Sequence, residues 1–256
     1  MSPANKDTLK PSLSEKFEGI IWKIETDDRH PLIVVESRDV SSHTAFFSAF
    51  NFKSHQCYFK NITVEDSWNW GIDRVSSQVI YLHGYQSPES PEHKGIIAIN
   101  LNGEVEWQNF TRTLYAVAEE GLIVYNPAVQ PRFPELVSPQ SGALLQSSVT
   151  HYNPVHRHII TPDYINIAHL PADIDRTTIE GPVLYARFKQ KDCYAFHVRG
   201  SLGYSQKLYI YHQGKMLHEE FLTVDIQKIN PEAFFIEHEH LFCIKDNKRI
   251  IVSYLL

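Results

Sequence analysis

The sequence predicts an all-β fold, a β-propeller-like array of roughly five or six antiparallel sheets, with a β-sandwich as the alternative. Three observations carry this. First, residues 94–108, KGIIAINLNGEVEWQ, read as strand, Asn-Gly turn and strand, a strong short-range hairpin signal. Second, the glycine-centred reversals recur. Ser141-Gly142 lies 39 positions after Asn102-Gly103, and Gln213-Gly214 a further 72 positions on. Multi-stranded units of about 40 residues suit radially packed blades that need no helices. Third, the chain carries 13 Tyr, 14 Phe and 4 Trp, residues that fit pleated, half-buried surfaces.

Along the chain, residues 1–14 are polar and Pro-containing and read as a loose arm, with 15–256 as a single domain. GIIWKIE (19–25) and PLIVVES (31–37) flank a turn-like Asp27-Asp28-Arg29. TAFFSAFNF (44–52) and CYFKNITV (57–64) form the next pair, and QVIYLHGY (78–85) runs into QSPESPEHK (86–94). Its Pro, Ser and Glu content predicts a surface loop there. GIIAINL (95–101) and EVEWQ (104–108) give the clearest hairpin, with Asn102-Gly103 expected in a type I′ turn. TLYAVAEEGLIVYNP (113–127) supplies two strands, and a Pro-bearing stretch follows. HRHIITPDYINIAHL (156–170) alternates as a strand should. VLYARF (183–188), CYAFHV (193–198), QKLYIYH (206–212), KMLHEEFLTV (215–224), AFFIEHEH (233–240), LFCIKD (241–246) and RIIVSYLL (249–256) complete the series. Short helical pieces are expected only near 112–120 or 217–222. A second echo pairs Phe52-Lys53 and Cys57-Tyr58 with Phe188-Lys189 and Cys193-Tyr194.

Composition narrows the function classes. The 256 residues are 43% hydrophobic and 21% charged, a globular balance, with a net charge of −6. No basic field is present to attract nucleic acid. No run of apolar residues is long enough for a membrane-spanning helix, and the start lacks a secretory leader, so a cytoplasmic protein is expected. Cys57, Cys193 and Cys243 are too dispersed for a disulfide framework and read as buried thiols. There is no P-loop, GxGxxG, GxSxG or Ser-His-Asp signature. No cofactor is therefore expected, and the sequence leaves open whether the chain is an enzyme.

The richest cluster is Asp66, Trp68, Trp70, Asp73 and Arg74. Two indoles two apart on a strand would share a face and offer a flat platform, with Asp66 and Arg74 binding ligand hydroxyls. The competing reading is core packing, because Trp carries a large apolar payload. His156 and His158, near His151, would converge on one metal ion if their segment is a strand. Solvent-facing histidines are the bland alternative. Glu237, His238, Glu239 and His240 alternate and read as an exposed strand edge. Asp173, Asp175 and Glu180 share one loop, where solvated carboxylates are the simpler reading than a glycosidase pair.

The strand-turn-Trp unit GIIAINLNGEVEW resembles the blade motif of quinoprotein-like propellers. Over nearly its whole length the chain also resembles an uncharacterised family of about 250 residues found mainly in Bacteroidetes. The matching features are Ile21-Trp22, Arg38-Asp39, Asp66 to Gly71 (DSWNWG), and the loop with Pro88, Pro91 and His93-Lys94-Gly95. That family has no known function, so the resemblance implies no activity and no catalytic residue. The function expected from the residues is a non-catalytic binding or scaffold module. It would hold a protein or small ligand on loops of one propeller face. The alternative is a carbohydrate-active or sugar-binding protein using the Trp platform.

Overall fold

The computed structural model describes residues 9–87 and 90–256, leaving aside the side chains of 86–91. Among these residues there is no α-helix, and five antiparallel sheets of four or five strands account for the fold. The chain divides into two compact units, Glu18–Arg157 and the combination of Met1–Phe17 with His158–Leu256.

β1 (Leu13–Lys16) belongs to the second of these units. Glu18–Arg157 holds three sheets, each a meander of consecutive strands, as the propeller-like reading expects of a blade. The first is β2 (Ile20–Thr26), β3 (Leu32–Asp39), β4 (Thr44–Asn51) and β5 (Cys57–Ile62). The second is β6 (Trp70–Ser76), β7 (Val79–Ser87), β8 (Ser90–Ile99) and β9 (Val105–Asn109). The third is β10 (Thr113–Ala118), β11 (Gly121–Tyr125), β12 (Glu135–Val137) and β13 (Leu144–Gln146). Side chains alternate across β7. Ile80 and Leu82 join Leu32, Val34, Phe47 and Ile72 in one core. Tyr81 joins Leu122, Val124 and Val137 in another. The middle sheet of this unit is thus buried on both faces, which explains its long apolar runs.

The other unit holds a five-stranded meander of β14 (Asp163–Ile165), β15 (Ile179–Phe188), β16 (Lys191–Arg199), β17 (Tyr204–His212) and β18 (Lys215–Ile226). Its second sheet contains β19 (Phe234–Glu237), β20 (His240–Lys245) and β21 (Ile250–Leu255), and β1 pairs with β21 at its edge. Leu184, Ala195, Leu208 and Ile210 pack with Ile236, Leu241, Val252 and Tyr254 in one core.

Several local expectations are corrected. Of the expected arm, residues 1–8 lie outside the described residues, while Leu13 and Ser14 already pair with Ser253 and Val252. The stretch expected as a loop at 86–94 is largely strand: β7 reaches Ser87 and β8 begins at Ser90, with 88–89 outside the described residues. The positions considered for helix are instead strand, 113–118 in β10 with a turn at 119–120 and 217–222 in β18, and the only helical turns among the described residues are 3₁₀ turns at Ser67–Asn69 and Ile167–His169. In the Asn102-Gly103 hairpin only Gly103 has positive φ (80°). The Asn100 side chain accepts from the amides of Asn102 (2.9 Å) and Glu104 (3.1 Å). That makes a three-residue loop closed by a left-handed glycine rather than a type I′ turn. His238 and Glu239 are a two-residue turn with φ of 48° and 68°, while Glu237 and His240 are buried, so 237–240 is not an exposed edge. Cys57 is exposed, whereas Cys193 and Cys243 are buried as expected.

Candidate functional site

The functional candidate lies in the Glu18–Arg157 unit, where β2, β3, β6, β7 and β8 meet. β3 is buried along nearly its whole length, yet it carries Glu36 and Arg38 two residues apart on one face. Buried charges need partners, and these two have them. Arg38 Nε donates to Glu36 Oε1 at 2.7 Å, Nη1 to the Trp68 carbonyl at 3.1 Å and Nη2 to the Trp70 carbonyl at 3.0 Å. Glu36 Oε2 accepts from the Ile72 amide at 2.9 Å. The pair therefore ties the first sheet to the start of the second. Aromatic rings surround the guanidinium: Trp22 at 5.2 Å, Trp68 at 5.1 Å and Tyr85 at 5.9 Å. Trp68 is half-buried and packs on the exposed His43 at 4.5 Å, and Trp22 remains 63% exposed.

Next to this clasp sits a group of ionisable side chains. The β6–β7 register slips between Ile72 and Arg74, placing Asp73 at a bulge, and Gly71 stands opposite His83. A second slip, between His83 and Tyr85, brings β8 across so that His93 stacks on His83 with 3.5 Å between ring centroids and 7° between planes. Tyr85 meets both imidazoles edge-on, at 5.0 Å and 5.5 Å. Asp73 Oδ2 lies 3.8 Å from His83 Nδ1. Among the described residues this is the one group of three side chains arranged to hold a metal ion, with one ligating atom from each of Asp73, His83 and His93 mutually within 4.8 Å.

The electrostatics follow from burial. Desolvation, the largest influence, pushes the Asp73 carboxyl up to about 6 against the pull of Lys23 and Arg74. Desolvation, helped by His93, Lys23 and Arg38, holds the His83 imidazole down at about 3. His83 is thus neutral at pH 7. His93 is lowered by burial and then by Lys23, whose Nζ donates to the Ile72 carbonyl at 2.9 Å. Both His83 ring nitrogens and Asp73 Oδ2 are buried without a hydrogen-bond partner among the described residues.

The four residues expected to share a ligand site are not brought together in one. Trp70 is 9% exposed, its ring lying where a side chain on Gly84 or Gly95 would stand. Asp66 is exposed and, with Trp70, Trp107 and Phe110, lines a cleft of about 780 Å³. Arg74 lines a different cavity of about 210 Å³ with Asp28 and Tyr115. Trp68 sits on a 3₁₀ turn against Arg38 instead of alternating with Trp70 on a strand. His156 and His158 are both exposed and lie outside any strand, so the face-sharing expected of them does not arise. Sequence reasoning missed His83, His93, Tyr85 and Glu36. The signal for His83 and Tyr85 was available, since they alternate in the strand read at 78–85. His93 joins them only through the register slip.

Residues 26–107 match a family described as Domain of unknown function (DUF4905), and that stretch includes Glu36, Arg38, Trp68, Asp73, His83 and His93. A family of unknown function is what the sequence resemblance anticipated. Among solved structures, a member of the duf4221 family from Bacteroides vulgatus atcc 8482 is similar at 8% identity and a TM-score of 0.36, over 98% of this chain and 98% of that one. An endo-arabinase from Bacteroides thetaiotaomicron VPI-5482 is similar at 10% identity and a TM-score of 0.26, over 97% of this chain and 96% of that one. No curated protein matches the chain. Among the described residues, no helix is long and apolar enough to cross a membrane.

Proposed function

We propose that the chain is a non-catalytic binding module whose ligand docks on the aromatic surface of Trp22 and Trp68, with a sugar ring as the ligand chemistry. The carrying observation is Trp22, an indole 63% exposed and yet fixed 5.2 Å from the Arg38 guanidinium. Rigid aromatic side chains give large contact area at low conformational-entropy cost. Arg38 donates to Glu36 and to two main-chain carbonyls, so it acts as a fixed floor under the rings instead of a hook for anions. Both Glu36 oxygens already accept hydrogen bonds, which favours a structural role over acid–base chemistry. The 40–43 turn beside Trp68 supplies polar groups at the rim, among them Ser41, Ser42 and His43.

A thermal-shift screen of the full chain against a glycan library tests this. A ligand that binds only the native state raises Tm. At least one glycan class is expected to do so, and Trp22→Ala and Trp68→Ala each to abolish the rise. A flat library, or a rise that survives the double variant, overturns the reading.

A further inference from the structure

We propose that Asp73, His83 and His93 form a binding site for one divalent transition-metal ion, of which zinc fits best. The inference is independent of the sugar reading and goes beyond it. Two imidazoles and a carboxylate are a donor set that zinc favours, leaving a fourth position for water or another ligand. The ligating atoms lie within 4.8 Å of one another. Tetrahedral zinc, bound at roughly 2.0–2.1 Å, holds its ligands about 3.3 Å apart, so closure asks for a movement of about 1.5 Å. His83 and His93 lie parallel, and aiming both lone pairs at one point requires the His93 ring to turn about χ2. His93 is the more exposed of the two, so the turn falls to it.

Three observations favour a ligand over packing. A histidine that merely packs has at least one ring nitrogen hydrogen-bonded in most proteins. His83 is 4% exposed and neither nitrogen is bonded, and the same holds for Asp73 Oδ2, which faces it. Second, the three side chains already converge from three neighbouring strands, Asp73 Oδ2 lying 3.8 Å from His83 Nδ1 and His93 stacked on the same ring. Third, the surroundings orient the ring. A Cβ built on Gly71 would stand 3.3 Å from Glu36 Oε2, 3.3 Å from His83 Nε2 and 3.4 Å from the Tyr85 hydroxyl. The bare glycine leaves room for all three side chains around it, while Nδ1 faces Asp73 at 3.8 Å. Nδ1, the nitrogen that faces Asp73, is the one placed to bind the metal.

The test uses the untagged full chain after chelator treatment. Cobalt(II) is titrated spectroscopically and zinc by competition. The expected result is one equivalent bound with the intense visible absorption of low-coordinate cobalt. Asp73→Asn and His93→Ala, both less buried than His83, are each expected to weaken binding at least tenfold with apo Tm and circular dichroism preserved. Trp22→Ala is expected to leave metal binding unchanged, which separates this site from the sugar surface. The absence of saturable binding up to about 1 mM metal would overturn the proposal. So would one-equivalent binding that both substitutions leave intact, because twelve of the chain's 14 histidines lie outside this group and can bind ions there.

Discussion

Arg38 is the residue on which the candidate site depends most. Lysine keeps the charge but has a single nitrogen, and it cannot serve Glu36 and two carbonyls at once. Arg38→Lys is expected to cost about 3 kcal/mol by leaving Glu36 poorly paired in a buried place. Urea unfolding would show this as a lower midpoint at unchanged slope. Asp27 plays a comparable part at the other end of β3. Its fully buried carboxylate accepts from the amides of Arg29 (2.8 Å), His30 (2.9 Å) and Gln78 (2.7 Å). Burial pushes that carboxyl up, the amide donors outweigh it, and the net direction is down from 3.8. A depressed native pKa stabilises the fold above the unfolded value and loses that stabilisation as pH falls through the native one. Stability from Asp27 is therefore complete at neutral pH and fades as pH drops below about 4. In Asp27→Asn the acid limb should be shallower in urea titrations from pH 5 to 2.5. An unchanged limb would remove Asp27 from the account.

At the scale of elements, the turns divide by how openly they advertise themselves. Gly103, Gly142 and Gly214, with φ of 80°, 65° and 77°, sit in hairpins that the sequence marks with glycine. Ser77-Gln78, between β6 and β7, has φ of 50° and 66° with no glycine at all. Left-handed backbone costs an ordinary residue about 1 kcal/mol or more, and the surrounding sheet holds it there. The double change Ser77→Asn, Gln78→Gly keeps the amide that Asp27 binds and should raise stability by about 1 kcal/mol. A denaturation midpoint at or below the parent's would show that these angles carry no strain. The same contrast explains the misread stretch at 86–94. Its Pro and Ser content says loop, but pairing with β7 carries β8 back to Ser90, and His93 reaches His83 on that extension.

At the scale of the molecule, the glycine reversals mark a true repeat. Gly103, Gly142 and Gly214 each lie between the last two strands of their sheets. The other echo does not mark equivalent places. Phe52 to Cys57 links the third and fourth strands of one sheet, and Phe188 to Cys193 links the second and third of another. The sheet of β19, β20 and β21 takes its outer strand from β1, with Ser12 also bonded to Ser253 and His240. Removing residues 1–16 strips that edge and is expected to lower Tm and speed hydrogen exchange along β21. A loose arm would predict no change in either.

The sequence by itself determined strand content, the main hairpins and the recurring sheet, because these follow from alternation and turn chemistry within a few neighbouring residues. It also held Trp22, Arg38, Trp68 and His93 among the features of its family resemblance. Only the tertiary structure decided that Trp22 and Trp68 flank one arginine while Trp70 goes into the core, and that Asp73, His83 and His93 meet. The physical reason is register. A slip of one residue between paired strands turns a side chain to the other face, and such slips at Asp73 and between His83 and Tyr85 are set by packing across whole sheets.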